Sequence, residues 1–300
     1  MKNLITKMAF AAMLGIMPMT SVCAQGEVQG FVHEQSSEDG YEWPTDPQVL
    51  NKLDQWQDQK FGVLMHWGLY SIQGIVESWS ICSEDVDWIS RKTHHLPYDD
   101  YKKWYWGQKD EFNPSKFDPD QWADMMQDAG VKYLIFTTKH HDGFCMYDSK
   151  YTDFSIAHGE AFKNNPKRDV ARYVFDAFRK KNFMIGCYFS KPDWHCPWFW
   201  SPEYATATRS INYKKERHPE WWRNYQTFTQ NQLSELTTDY GKLDILWLDG
   251  GWVSGDDIGL DSLLVEARKR NPGLISVDRA IRGRNENYQT PERGIPDHQL

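Results

Sequence analysis

The sequence predicts an α/β fold, specifically a TIM-like (β/α) barrel built on a parallel sheet, and three observations carry that prediction. Helical patterns alternate with short apolar runs at least four times along the chain. The apolar runs are almost continuous rather than alternating with polar residues, as in strands that helices cover on both faces. No GxGxxG or P-loop pattern follows any run, so the phosphate-cradling signature of a doubly wound open sheet is missing and the barrel is preferred over it.

Each element follows from local chemistry. Asp46-Pro47 supplies an N-cap and a first-turn proline for a helix running to about Gln59, before the apolar run FGVLMHWG. Asp118-Pro119 starts a second helix that closes at Gly130 and leads into VKYLIFTTKHHDG. Asp169 is read as the cap of VARYVFDAFRKK, which precedes NFMIGCYFS. PEWWRNYQTFTQNQLSELTTDYG leads into KLDILWLDGG, and DSLLVEARKRNPG into LISVDR. About five strands can be counted.

Composition bounds the rest. Three hundred residues at 40% hydrophobic content suffice for one large core. A formal net charge of -8, with acids and bases interspersed, leaves no basic face for phosphate backbones, so nucleic acid is not an expected partner. Residues 1–24 read as a signal peptide: Lys2 and Lys7, an apolar stretch from Met8 to Met19, then Val22-Cys23-Ala24 as the cut site. That stretch is too short to span a membrane, and the mature chain is expected to be exported, periplasmic or secreted. A lipid anchor at Cys23 fits less well, because Val22 is a poor neighbour for one. Residues 25–45 read as a linker or N-terminal arm, and 46–300 as the barrel. Cys82, Cys145, Cys187 and Cys196 form no CxxC, so free buried thiols are expected in preference to a disulfide or a zinc site.

Polar groups cluster where the apolar runs end: His66-Trp67, Lys139-His140-His141-Asp142, Tyr188 and Ser190, Asp249, and Arg279. In a parallel barrel these ends share the face on which active sites are built. Asp244 enters its strand at the opposite, stabilising face, whereas Asp249 leaves it at the chemical face beside Gly250-Gly251. His140 and His141 can converge only if their strand has already ended, since neighbours on a strand point to opposite faces. No HxH or HExxH spacing is present, and no metal or other cofactor is expected. Fifteen tryptophans, several of them in loops (Trp194, Trp198, Trp200, Trp252), offer aromatic faces of the kind that stack on sugar rings. Carbohydrate chemistry needs a pair of carboxyl groups about a glycosidic bond. Asp249 can be one, and Glu292, with Glu286 as its rival, the other.

The ordered set FGVLMHWGLYS, TTKHHDGF, GCYFS, LDILWLDGG, VDR and YQTPE resembles the GH29 α-L-fucosidases of bacteria, from about residue 47 to the end. The resemblance implies a (β/α) barrel followed by a β-sandwich, retention of anomeric configuration, and a fucosylated oligosaccharide or glycoconjugate as substrate. It implies that Asp249 is the nucleophile and Glu292 the acid/base, with fucose held by His66, Glu77, Trp79, His140, His141, Tyr188, Trp247 and Arg279. The YQTPE loop resembles members acting on α-1,3/1,4-linked branched fucose. Two local departures stand out: Ser78 separates Glu77 from Trp79 where the family commonly joins them, and Tyr188-Phe189 replaces a common Tyr-Tyr. The resemblance is to longer chains, so the last barrel units and the sandwich are expected to be absent from these 300 residues. The expected function is retaining exo-α-L-fucosidase. The alternatives are a non-catalytic fucose-binding protein or inactive fragment, and a metal-dependent barrel hydrolase using the histidines.

Overall fold

The computed structural model of the chain describes residues 42–82, 95–206, 208–281 and 283–290. Five strands, β1 (Gly62–Met65), β2 (Tyr133–Lys139), β3 (Met184–Ser190), β4 (Ile245–Asp249) and β5 (Ile275–Asp278), form one sheet. Every neighbouring pair is parallel, and the spatial order is the sequence order. A doubly wound sheet reverses at a switch point, so its spatial order departs from chain order; strict sequential winding belongs to a (β/α) barrel. Strand order thus decides between the two architectures.

Helices α1 (Pro47–Gln59), α3 (Pro119–Asp128), α4 (Val170–Lys180), α5 (Pro219–Asp239) and α6 (Leu260–Arg270) stand where the patterns place them. Asp46 and Asp118 cap as expected, accepting from Gln48 N at 2.8 Å and Gln121 N at 3.2 Å. Asp169 does not cap α4. Its carboxylate accepts instead from Arg172 Nε (2.9 Å), Tyr240 OH (3.2 Å) and Asp148 N (3.3 Å), because a guanidinium one turn along competes successfully for it. Helix α2 (Tyr98–Gly107) was not expected: no side chain caps it, and its buried face consists of Tyr101 and Tyr105, one turn apart.

Register sorts the strand residues into rows. Ile135, Gly186, Ile245 and Ile275 lie side by side in the first inward row, and Thr137, Tyr188, Trp247 and Val277 in the second. Ser190 and Asp249 begin the third. Gly186 is required in the first row, since a Cβ there would lie 2.6 Å from Ile135 Cγ1. The alternate residues, among them Leu134, Phe136, Ile185, Cys187, Phe189, Leu246 and Leu248, join the helices in the larger core. There α4 contributes Val174, Phe175 and Phe178, each worth roughly 1.5–3 kcal/mol of burial.

Helix α1 closes the entrance end. Val49 and Leu53 pack on Ile135, Ile245 and Ile275, and Lys52 Nζ donates to Asp244 Oδ1 at 2.7 Å. Asp244 Oδ2 accepts from Ile185 N at 3.0 Å, so this carboxylate ties α1, β3 and β4 together. The four described cysteines are buried, Cys145, Cys187 and Cys196 are free thiols, and burial pushes the Cys187 thiol up to about 12. No described helix is long and apolar enough to cross a membrane.

Candidate active site

The strand ends converge. His66, just past β1, meets the Tyr188 ring edge-on at 4.8 Å and the His140 ring at 5.4 Å. His140 and Tyr188 lie parallel at 5.7 Å, and the His140 and His141 rings are 4.2 Å apart. β2 ends at Lys139 after a register shift between Thr137 and Lys139, which frees the two histidines from strand alternation. At the centre lies Asp249, buried, with Tyr188 OH donating to Oδ2 and Arg279 Nη1 donating to Oδ1 at 3.1 Å. Gly250 follows with φ of 85°, and a Cβ there would fall 2.2 Å from Pro192 Cδ, so only glycine lets the chain turn away this tightly after the carboxylate.

Each imidazole is anchored the same way. Thr137 Oγ1 lies 2.7 Å from His66 Nδ1, Ser78 Oγ 2.5 Å from His140 Nδ1, and Ser190 Oγ 2.6 Å from His141 Nδ1. The opposite nitrogens approach carboxylates: His66 Nε2 is 3.9 Å and His140 Nε2 3.5 Å from Glu77, and His141 Nε2 is 3.9 Å from Asp249 Oδ2. Glu77 opens a short 3₁₀ turn with φ of 47°, a left-handed conformation that costs a non-glycine residue about 1–3 kcal/mol and persists where its surroundings enforce it. Burial opposes ionisation of Glu77, but the hydrogen bond and charge of His140 and the charge of His66 together outweigh it and bring the carboxyl down to about 2. Burial disfavours the His140 cation too, yet Glu77, Asp142 and Asp249 raise its pKa. Burial first, then the charge of His140, lowers His66 to about 4 against the opposing carboxylates. The pocket therefore holds an ionised Glu77, which favours the His140 cation, beside a neutral His66 at neutral pH.

The arrangement suits a small polyhydroxylated ring: neutral and charged donors and acceptors surround a buried carboxylate, and Trp247 stands beside Tyr188 on the neighbouring strand. Trp247 Nε1 has no acceptor among the described residues, which leaves a buried donor for a ligand. Among the described residues, two groups of three could hold a metal ion, His66-Glu77-His140 and His140-His141-Asp249, with ligand atoms within 4.8 Å of one another.

A model of the family described as alpha-L-fucosidase matches residues 29–300. The chain belongs to the alpha-L-fucosidase family. Plasma alpha-L-fucosidase of Homo sapiens is 29% identical over 205 residues, 66% of this chain and 40% of the relative. The plasma enzyme of Rattus norvegicus is 30% identical over 207 residues, with the same shares. Among solved structures, alpha-L-fucosidase isoenzyme 1 from Paenibacillus thiaminolyticus is similar with a TM-score of 0.64 and 28% identity, covering 84% of this chain and 58% of that one. A GH29 alpha-L-fucosidase from Bacteroides thetaiotaomicron, trapped as a covalent intermediate with 2-fluoro-fucosyl fluoride, gives 0.60 and 26%, covering 88% and 59%. The chain spans about two fifths of the length of the curated relatives it matches.

Within this family member, nine of the ten sequence-predicted site residues lie among the described residues; eight of them are joined by direct contacts, and Trp247 lies beside Tyr188 in the second inward row with its ring on Tyr288. Ser78, which parts Glu77 from Trp79, does not displace them: Glu77 reaches His66 and His140, Trp79 meets the His141 ring at 5.3 Å, and Ser78 itself holds His140. Glu292 lies outside the described residues. Its rival Glu286 is fully buried, with Oε1 3.4 Å from Ala280 N and its backbone bridged to Val277, and so supports the turn after β5.

Three other strand-end groups take structural parts. Trp67 packs on Phe112, Phe117 and Trp122, Asp142 accepts from Tyr105 OH and Phe144 N, and Lys139 pairs with Asp193 at 3.0 Å. Trp194 and Trp200 are not open sugar platforms. They are buried and stacked on each other at 5.0 Å, because the long excursion between β3 and α5 folds back into the larger core. Sequence reasoning missed Thr137 and Ser78 as histidine anchors; a hydroxyl two residues before a strand end was the available signal for Thr137.

Proposed function

We propose that the chain carries the sugar pocket and nucleophile of a retaining exo-α-L-fucosidase that removes terminal α-L-fucose from glycans. The observation that carries this reading is Asp249: a buried carboxylate at the end of a barrel strand, oriented by Tyr188 and Arg279 inside a ring of histidines. One Asp249 oxygen attacks the anomeric carbon while Glu292, in this reading the acid, protonates the departing glycosidic oxygen. Glu292 then deprotonates a water that displaces Asp249, and two inversions give net retention. The covalent intermediate trapped in the similar Bacteroides structure supports a covalent route here.

His66, Glu77, His140 and His141 hold the sugar hydroxyls, and Trp247 and Trp79 pack against its apolar parts. The likeness of the YQTPE loop supports α-1,3/1,4-linked branched fucose as substrate. Residues 1–24 are a leader that sends the protein to the periplasm or the exterior. The test is hydrolysis of an aryl α-L-fucoside by the unaltered protein and by Asp249→Ala, beside a thermal shift with fucose and an assay after chelation. Full activity in Asp249→Ala contradicts the assigned nucleophile, stabilisation by fucose without turnover supports binding alone, and activity lost on chelation supports a metal enzyme.

A further inference from the structure

Strand β4 lies between β3 and β5, and the sheet stops holding the three together just where Asp249 stands. The last paired rows are Ser190 with Asp249 and Leu248 with Asp278. One backbone hydrogen bond follows on each side, from Lys191 N to Asp249 O and from Arg279 N to Leu248 O, both at 3.0 Å. Beyond these the strand ends turn into loops, yet Arg279 and Asp249 meet at 3.1 Å. A second ionic contact crosses the same place. Successive strand residues face opposite sides, so Arg279 points inward to Asp249 while Asp278 points outward, as does its row neighbour Leu248. Lys191 likewise points outward after Ser190, and its Nζ donates to Asp278 Oδ1. The pair thus joins β3 to β5 over the outer side of β4, a span of two strand spacings or about 10 Å. Both side chains are buried, with exposures of 0% and 2%. Asp278 Oδ2 also accepts from Gly255 N at 2.9 Å, in the loop that follows Asp249, and Tyr225 OH on α5 donates to Lys191 O at 2.7 Å. The end of β4 is therefore held on its inner side by Arg279 and on its outer side by Lys191 and Asp278.

We propose that the buried Lys191–Asp278 pair is a positioning clasp for the nucleophile: it fixes the ends of β3 and β5 relative to each other and so holds the Arg279 guanidinium on the Asp249 carboxylate. The inference rests on the proposed function and adds two positioning residues to it, both facing away from the sugar pocket. Net stability does not account for the pair. Taking two charges out of water costs about as much as their attraction returns, and apolar residues of like volume commonly serve as well. An ion pair supplies what apolar packing does not, a set direction and distance between two particular strands. That matters beside a nucleophile, where a misplacement of about 1 Å is enough to slow the reaction on the order of 10²-fold.

The experiment uses the double variant Lys191→Met, Asp278→Asn, which removes both charges, keeps similar volumes and leaves an oxygen to accept from Gly255 N. Its kcat on a 4-nitrophenyl α-L-fucoside is expected to fall about 10-fold or more, with KM and melting temperature little changed. Gly255→Ala disturbs the same carboxylate from the loop without altering a charge, since a Cβ there would lie 2.6 Å from Asp278 Oδ2. It is expected to lower kcat in the same way, and it carries the test where the double variant does not fold. A kcat within about twofold of the unaltered protein, or a raised KM at constant kcat, overturns the inference. A crystal structure of either variant reads the clasp without turnover. The contact between Arg279 and Asp249 is expected to open beyond hydrogen-bonding distance, and its retention overturns the inference whether or not the protein is active. An aryl fucoside left uncleaved by the unaltered protein contradicts the proposed function itself; normal cleavage with that contact kept in the variants contradicts this inference alone.

Discussion

Arg279 and Asp249 face each other from adjacent strand ends, Nη1 3.1 Å from Oδ1, and the backbone sets the pair: Arg279 N donates to Leu248 O at 3.0 Å. The register that brings Asp249 into the third inward row therefore brings the guanidinium beside it. Replacing Arg279 by Lys removes a planar donor that an ammonium does not reproduce. Arg279→Lys is expected to lower kcat on an aryl fucoside about 10²-fold, the scale of one positioned donor. A kcat within twofold of the unaltered protein would mean that the contact does not steer the carboxylate.

Tyr188 addresses the other oxygen of the same carboxylate. Tyr188→Phe keeps the ring that lies parallel to His140 and edge-on to His66, and deletes only the hydroxyl. The expected result is a kcat lowered about 10-fold or more with fucose binding nearly unchanged. A raised KM at constant kcat would assign the hydroxyl to the sugar instead.

Lys139 and Asp193 form a buried pair at 3.0 Å, joined by Gln232 Oε1 at 3.1 Å from the ammonium. Asp193 also accepts from His195 N and Cys196 N, so the pair fixes the start of the excursion that carries Trp194. Lys139→Met leaves a buried carboxylate without its cation and is expected to cost about 3–5 kcal/mol, a melting temperature lower by roughly 10 °C. The double variant Lys139→Met, Asp193→Asn is expected to recover part of that loss. A single variant as stable as the unaltered protein would show the pair to be dispensable.

The acid side of the stability curve carries the mark of His66. Its folded pKa of about 4 lies below its ordinary value of 6.5, so the unfolded chain takes up the proton first. The stability is fully present above 6.5 and is lost as pH falls from there to about 4. Glu77, held near 2 rather than 4.5, adds a loss below 4.5, while His140, raised, loses its contribution as pH rises through its folded pKa. Thermal melts from pH 7 to 4 are expected to fall less steeply for His66→Asn than for the unaltered chain. Parallel curves would contradict a buried, neutral His66.

Much of this was legible in the sequence because barrels place chemistry at strand ends. Near-continuous apolar runs announced the parallel strands, and Asp244 and Asp249 parted correctly, one into an ion pair with Lys52, the other into the pocket. What could not be read depended on chain folding in three dimensions. Asp169 follows the local signature of a cap, yet Arg172 and Tyr240 take its carboxylate. The bulge before Lys139 turns that side chain toward Asp193 rather than the pocket, and no local pattern encodes a bulge. Trp194 and Trp200 look like exposed loop aromatics until the excursion folds them onto each other.

The central claim is that Asp249 forms the bond to fucose. Incubation with 2-fluoro-fucosyl fluoride, followed by intact-mass and peptide mass spectrometry, tests it most directly. One fluorofucosyl group per chain is expected, on the peptide containing Asp249 and absent from Asp249→Ala. A label on another carboxylate, or turnover of the aryl fucoside with no covalent label at all, would contradict the account.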